Sequence, residues 1–196
     1  GLSRIIISID GTTQETFEKY RVGGDLKKVI DGTKRLVSWK KELKSNTPFI
    51  IFQFIVMGHN EHQIEAMQNL SKEIGVDSLQ LKTVQIYDHL NGEHLLPKTE
   101  EYARYNKTNR VLQIKNNLIN ACWKMWHSCV ITWDGNIVPC CFDKDASHTL
   151  GNISHQTLKS IWKNQVYAAF RNSILKSRKE IEICKNCSEG TKIFGG

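Results

Sequence analysis

At 196 residues, with 40% apolar and 24% charged residues and three prolines, the chain has the size of one ordinary domain or two small ones and the composition of a soluble globular protein. No apolar run approaches the roughly 20 residues of a bilayer crossing, and no basic n-region with a small-residue cleavage site opens the chain; a cytoplasmic location without a membrane partner is expected. The net charge of +7 suggests an anionic partner, but the lysines are scattered among acids. The densest basic stretch, 34–44, has the pattern of an exposed helix face, so nucleic acid is not the expected partner.

Residues 3–10 (SRIIISID) form a β-branched run closed by Asp10-Gly11 and predict a buried strand. Thr12 and Glu15 have capping-box spacing, predicting a helix that Gly23-Gly24 breaks. Asp25 caps a longer helix to about Lys44, with Leu26, Val29, Ile30, Leu36 and Val37 as its apolar stripe. Residues 49–57 predict a second strand. Asn60, with Gln63 three positions later, is expected to cap a helix running to about Ile74 with Ile64, Met67, Leu70 and Ile74 on one face. Gly75 stops it, and residues 78–86 predict a third strand. Strand–helix alternation at this spacing demands a parallel sheet. Three strands are too few for a closed barrel. The chain also opens with Gly1 and enters a strand almost at once, so earlier strands are expected to lie upstream of it.

Residues 87–105 are polar and turn-rich, and 87–120 as a whole is expected to connect two domains, 1–86 and 121–196. Within it, 111–120 predicts a short helix. Residues 129–133 and 137–141 predict a hairpin across Asp134-Gly135, and 157–177 has helical periodicity through Leu158, Ile161, Trp162, Phe170 and Ile174.

All six cysteines lie between Cys122 and Cys187, and the first 121 residues have none. Disulfides are not expected, because an ordinary αβ half needs no staples and a remote CxxC is commoner in metal and redox sites. Cys122, one of the pair Cys140-Cys141, Cys184 and Cys187 form the expected ligand set for a metal ion or cluster. Cys140 is favoured over Cys141 because hairpin neighbours point to opposite faces. Cys129 sits in an apolar strand and suits a small buried hydrophobe. Four cysteines do not by themselves choose between iron and zinc.

Cys122-Trp-Lys-Met-Trp, Ile131-Thr-Trp-Asp-Gly-Asn-Ile-Val-Pro-Cys-Cys-Phe-Asp143, Leu150-Gly-Asn152, Leu158-Lys-Ser-Ile-Trp162 and Cys184-x2-Cys187 resemble the C-terminal auxiliary-cluster domain of radical SAM enzymes, the SPASM type in its shortened, one-cluster "twitch" form. The resemblance implies that Cys122, Cys140, Cys184 and Cys187 bind one auxiliary 4Fe–4S cluster. Ile7-Ser-Ile-Asp-Gly11, followed by Thr13, Glu15 and Tyr20-Arg21-x-Gly-Gly24, is similar to the fourth strand and following turn of the same family's barrel. That implies Ser8, Asp10 and Arg21 as S-adenosylmethionine (SAM) contacts, and Gln53 in the next strand as a candidate lining the same interior.

The implied fold is α/β: the C-terminal part of a partial (β/α)6 TIM-like barrel followed by a small α+β cysteine-rich domain. The implied function is electron transfer or substrate positioning during radical-based modification of a peptide, protein or small molecule. Its cofactors would be the auxiliary 4Fe–4S cluster together with SAM and a second 4Fe–4S cluster in the full-length enzyme, and its reductant a flavodoxin or ferredoxin. The chain departs from the family in lacking the CxxxCxxC loop of the cluster that reduces SAM. It is therefore not expected to be competent alone, being either part of a longer enzyme or a relative that has lost catalysis; the strand-first start favours the former. The competing reading is a zinc-bound basic interaction module for nucleic acid or protein. None of the seven histidines pairs at the i, i+4 spacing of a helical metal site, His59 and His62 are expected in solvent, and no catalytic acid or base is assigned.

Overall fold

The computed structural model describes residues 1–108, 111–115 and 117–187. The chain divides into two compact units, Gly1–Gln113 and one starting at Ile114.

The first unit begins β1 (Arg4–Ser8), α1 (Gln14–Glu18), α2 (Leu26–Glu42), β2 (Phe49–Val56), α3 (Ile64–Ile74), β3 (Ser78–Thr83). The three strands pair parallel in the order β1-β2-β3. Strand alternation sorts the side chains: Ile5, Ile7 and Ile9, then Ile50, Phe52, Phe54 and Val56, then Leu79 and Leu81 share one core with Val37, Met67 and Ile74 of the helices. Those that are fully buried, such as Ile50, Phe52, Phe54 and Met67, contribute about 1.5–3 kcal/mol each. Asp25 caps α2 by accepting from Lys28 N–H. The cap of α1 is Thr13 rather than Thr12, because it is Thr13 Oγ1 that accepts from Thr16 N–H.

The segment after β3 folds with this unit: Leu112 N–H donates to the His89 carbonyl at 3.0 Å, and Ile86 N–H to Tyr105 Oη at 3.2 Å. It carries a two-stranded sheet of β4 (Tyr105–Thr108) and β5 (Val111–Ile114). The helix expected over 111–120 is thus corrected to a strand over its first residues; residue 116 lies outside those described. Four residues with one buried side chain are too short a stripe to stabilise a helix, and a neighbouring strand satisfies their backbone instead.

The second unit contains α4 (Lys124–His127), β6 (Val130–Ile131), β7 (Asn136–Val138), β8 (Gly151–Asn152), α5 (Leu158–Trp162) and α6 (Gln165–Ser177). β6 and β7 form the expected antiparallel hairpin, with Gly135 at φ 82° in its turn, where a Cβ would be strained. β8 pairs with the other edge of β7. Gly151 is needed for close approach: a Cβ there would lie 2.8 Å from Ile161 Cγ1. The helix expected over 157–177 is two helices. Thr157 caps α5, and Asn164 interrupts the run by capping α6 through Tyr167 N–H while donating its amide to the Leu150 carbonyl. Among the described residues, one small core cluster surrounds Ile137, Leu150, Ile161 and Tyr167 and another surrounds Met125, Ile174 and Ile181 with Cys122 and Cys184; Phe170 packs against both. Among the described residues, no helix is long and apolar enough to cross a membrane.

Candidate metal centre and strand-end site

Three separate segments deliver cysteines to one apolar cleft. Cys122 lies in the turn leading into α4, its carbonyl accepting from Met125 N–H. Cys140 follows β7, and its carbonyl accepts from Asp143 N–H. Cys184 and Cys187 share a tight turn in which Cys184 N–H donates to the Ile181 carbonyl and Cys187 N–H to the Cys184 carbonyl. All four line the cleft, together with Met125, Pro139, Phe142, Phe170, Ile174 and Ile183. Cys141 is exposed, and Cys129 lines a different groove, with His127 and Trp162. Among the described residues, no three His, Cys, Asp or Glu side chains are arranged to hold a single metal ion; the four thiols are spread around the cleft instead.

Electrostatics mark the same place. Burial pushes the Cys140 thiol up to about 11, against a backbone N–H from Phe142 and reinforced by Cys187, Cys141 and Cys122. Burial and then the neighbouring thiols Cys187 and Cys140 push Cys184 up to about 12, with Arg178 acting the other way. Thiols such as Cys140 and Cys184, held protonated by burial, suit a multiply charged cation core, whose binding expels their protons. The donor set and its dry walls therefore fit an iron–sulfur cluster.

Residues that the cysteine spacing does not reveal hold this cradle. Asp143, buried, accepts from Ser147 and His148 N–H at 2.8 and 2.9 Å and closes the loop after the cysteine pair. Arg171 donates to the Met125 and Trp162 carbonyls and lies over the rings of Tyr167 and Trp162, binding α4, α5 and α6 together. Arg178, 0% exposed, donates to the Ala121 carbonyl at 2.8 Å and also lines the cleft.

In the first unit the register sets Ser8 opposite Gln53 and Gln53 opposite Gln80. All three are half-buried and form a polar row on the sheet face away from the helices. Asp10 is 0% exposed; it accepts from Arg21 Nε at 2.6 Å and from Ile55 N–H at 2.7 Å. Burial raises its carboxyl above the ordinary range despite those two partners. Asn60 and Gln63 do not cap α3, correcting that expectation. Asn60 accepts from Met57 N–H and donates to the Asp10 and Ile55 carbonyls, and Gln63 accepts from Thr12 N–H while donating to Thr16 Oγ1. Both amides thus bracket the loop after β1 and fix Asp10 in place. His59 is half-buried rather than in solvent, whereas His62 is exposed.

Residues 122–188 match the SPASM family, an iron–sulfur cluster-binding domain. The chain is 35% identical over 60 residues, 30% of its length, to the S-adenosyl-L-methionine-dependent 2-deoxy-scyllo-inosamine dehydrogenase of Niallia circulans, and the match spans only 24% of that relative. Among solved structures it is similar to anSMEcpe with bound AdoMet (TM-score 0.51, 16% identity, 97% of this chain and 59% of that one), which shows a shared fold. BtrN in an open conformation is also similar over 96% of this chain and 93% of that one, at 15% identity and a TM-score of 0.33. The motif resemblance to radical SAM enzymes of the SPASM type is borne out, and with it 4Fe–4S clusters and SAM as the family's cofactors.

Proposed function

We propose that this chain is the C-terminal part of a radical SAM enzyme, whose SPASM domain holds one auxiliary 4Fe–4S cluster through Cys122, Cys140, Cys184 and Cys187. One observation carries this reading: four cysteines from three segments line one apolar cleft inside the matched region. When bound, the cluster supplies an electron-transfer centre. Its walls, Met125, Pro139, Phe142, Phe170 and Ile174, limit water access, which governs the potential of such a centre. With four thiolates engaged, the site favours relaying electrons over ligating substrate.

The parallel sheet is read as a fragment of the barrel. Ser8 and Gln53 stand in its polar row and suit direct contact with SAM. Asp10 and Arg21, paired to each other at 2.6 Å, would take part at the strand end, where this architecture places its active sites. Residues 1–121 hold no cysteine, so reduction of SAM is assigned to another part of the enzyme, served by a flavodoxin or ferredoxin. The substrate class that the relatives favour is a small molecule, since the dehydrogenase relative is named for an aminocyclitol; a peptide or protein remains within the same chemistry.

Anaerobic reconstitution tests the cluster. The chain should take up iron and sulfide in equal amounts and become brown, and Cys184→Ala with Cys187→Ala should abolish both. Retention of full iron by the double variant, or stoichiometric zinc in its place, overturns the reading. In the full-length enzyme, Ser8→Ala and Gln53→Ala should each weaken SAM binding without changing iron content.

A further inference from the structure

We propose that Arg178 is the electrostatic counterpart of the auxiliary cluster, setting its reduction potential rather than merely pegging the fold. This rests on the cluster assignment above and adds to it a residue outside the ligand set. Arg178 is the one fully buried cation among the described residues. A guanidinium does not shed its proton, so its positive charge is present in the cleft wall in every redox state. The wall it enters is the one that carries all four ligand cysteines. Once they are ionised around an iron–sulfur core, the assembly is a net anion, and reduction makes it more so.

Placement is over-determined. Arg178 Nη1 donates to the carbonyl of Ala121, next to Cys122, and Arg178 N–H donates to Asn120 Oδ1 at 2.9 Å. Asn120 returns its amide to the Lys176 carbonyl at 3.0 Å. The guanidinium is therefore held between the segment bearing Cys122 and the one leading to Cys184. Lys124 also lines the cleft but is only half-buried, so water screens it more. A fixed positive charge in a dry wall favours the more negative, reduced cluster, and net charge is one of the quantities that set such potentials. Removing it should lower the midpoint.

The experiment is an EPR-monitored redox titration of the reconstituted chain, run with iron and sulfide counts, on Arg178→Gln and Arg178→Lys. Gln keeps a donor for the Ala121 carbonyl without the charge; Lys keeps the charge without the fork. The expected result is that R178Q needs at least a tenfold higher reducing ratio, a shift of about 59 mV to more negative potential for one electron, while R178K shifts by less than half of that. Loss of iron from R178Q with retention by R178K also supports the proposal, because charge is then what holds the anion. Equal shifts in both variants, iron loss in both, or unchanged potentials at full iron overturn it. Failure of the unmodified chain to hold iron and sulfide would instead sink the cluster assignment itself.

Discussion

The two units stabilise themselves by different means. The first packs a parallel sheet against α2 and α3 around a continuous core that includes Ile9, Ile50, Phe52, Phe54 and Met67. Among its described residues the second has two small clusters, and one of them counts Cys122 and Cys184 among its members. Area burial suffices for the first. In the second, part of the interior is made of the cysteines proposed as cluster ligands, so cluster binding would be folding free energy. One chain thus joins a scaffold that tolerates loss of its cofactor to one that should not.

The sharpest way to break this comparison is to remove the ligands. In C184A/C187A, amide exchange in the second unit should lose most of its protection while β1–β3 keep theirs; equal loss in both units would show that they fold as one. The reverse substitution comes next. Phe54→Ala, at a side chain with no exposure, should destabilise the first unit by about 3–5 kcal/mol in a denaturant titration and leave iron content unchanged. Asn60→Ala strands the Met57 N–H and two carbonyls and should cost about 2–3 kcal/mol; if Asn60 were only a helix cap, the loss would be nearer 1 kcal/mol.

The smallest effect concerns pH. Burial, then the charge of Lys19, holds the His59 imidazole below its ordinary 6.5. Its contribution to stability is fully present above that value and is lost as pH falls through the lower folded value, because the unfolded chain takes the proton first. His59→Asn should flatten this acid slope in the first unit's melting, and an unchanged slope would assign it to other groups.

Much of the first unit was legible because its signals are local and repeated. Strand alternation, the Asp25 cap and the apolar stripes of α2 and α3 each depend on residues close in sequence. Asn60 and Gln63 misled for the same reason: their spacing fits a capping pair, yet their amides are consumed by the loop after β1, 50 residues away for Asn60 to Asp10. In the second unit, cysteine spacing foretold which side chains share the cleft, since the hairpin fixes which of Cys140 and Cys141 turns inward. Arg178 was not legible. It lies between the exposed Lys176 and Lys179, in a cationic run that looks like a solvated face, and only the tertiary fold turns one of the three inward. The split of the last helices escaped for a similar reason, since the apolar period continues across Asn164 although its side chain caps the start of the second helix.

The raised affinity of Cys140 and Cys184 for their protons has a further consequence. Attack on disulfides and peroxides needs the thiolate, a form that burial disfavours at both positions. Without a cluster, buried Cys184 and half-buried Cys140 should therefore be slow to cross-link. Oxidative damage in the apo chain should begin at Cys141, which stands in solvent beside them, and leave the cradle intact for assembly.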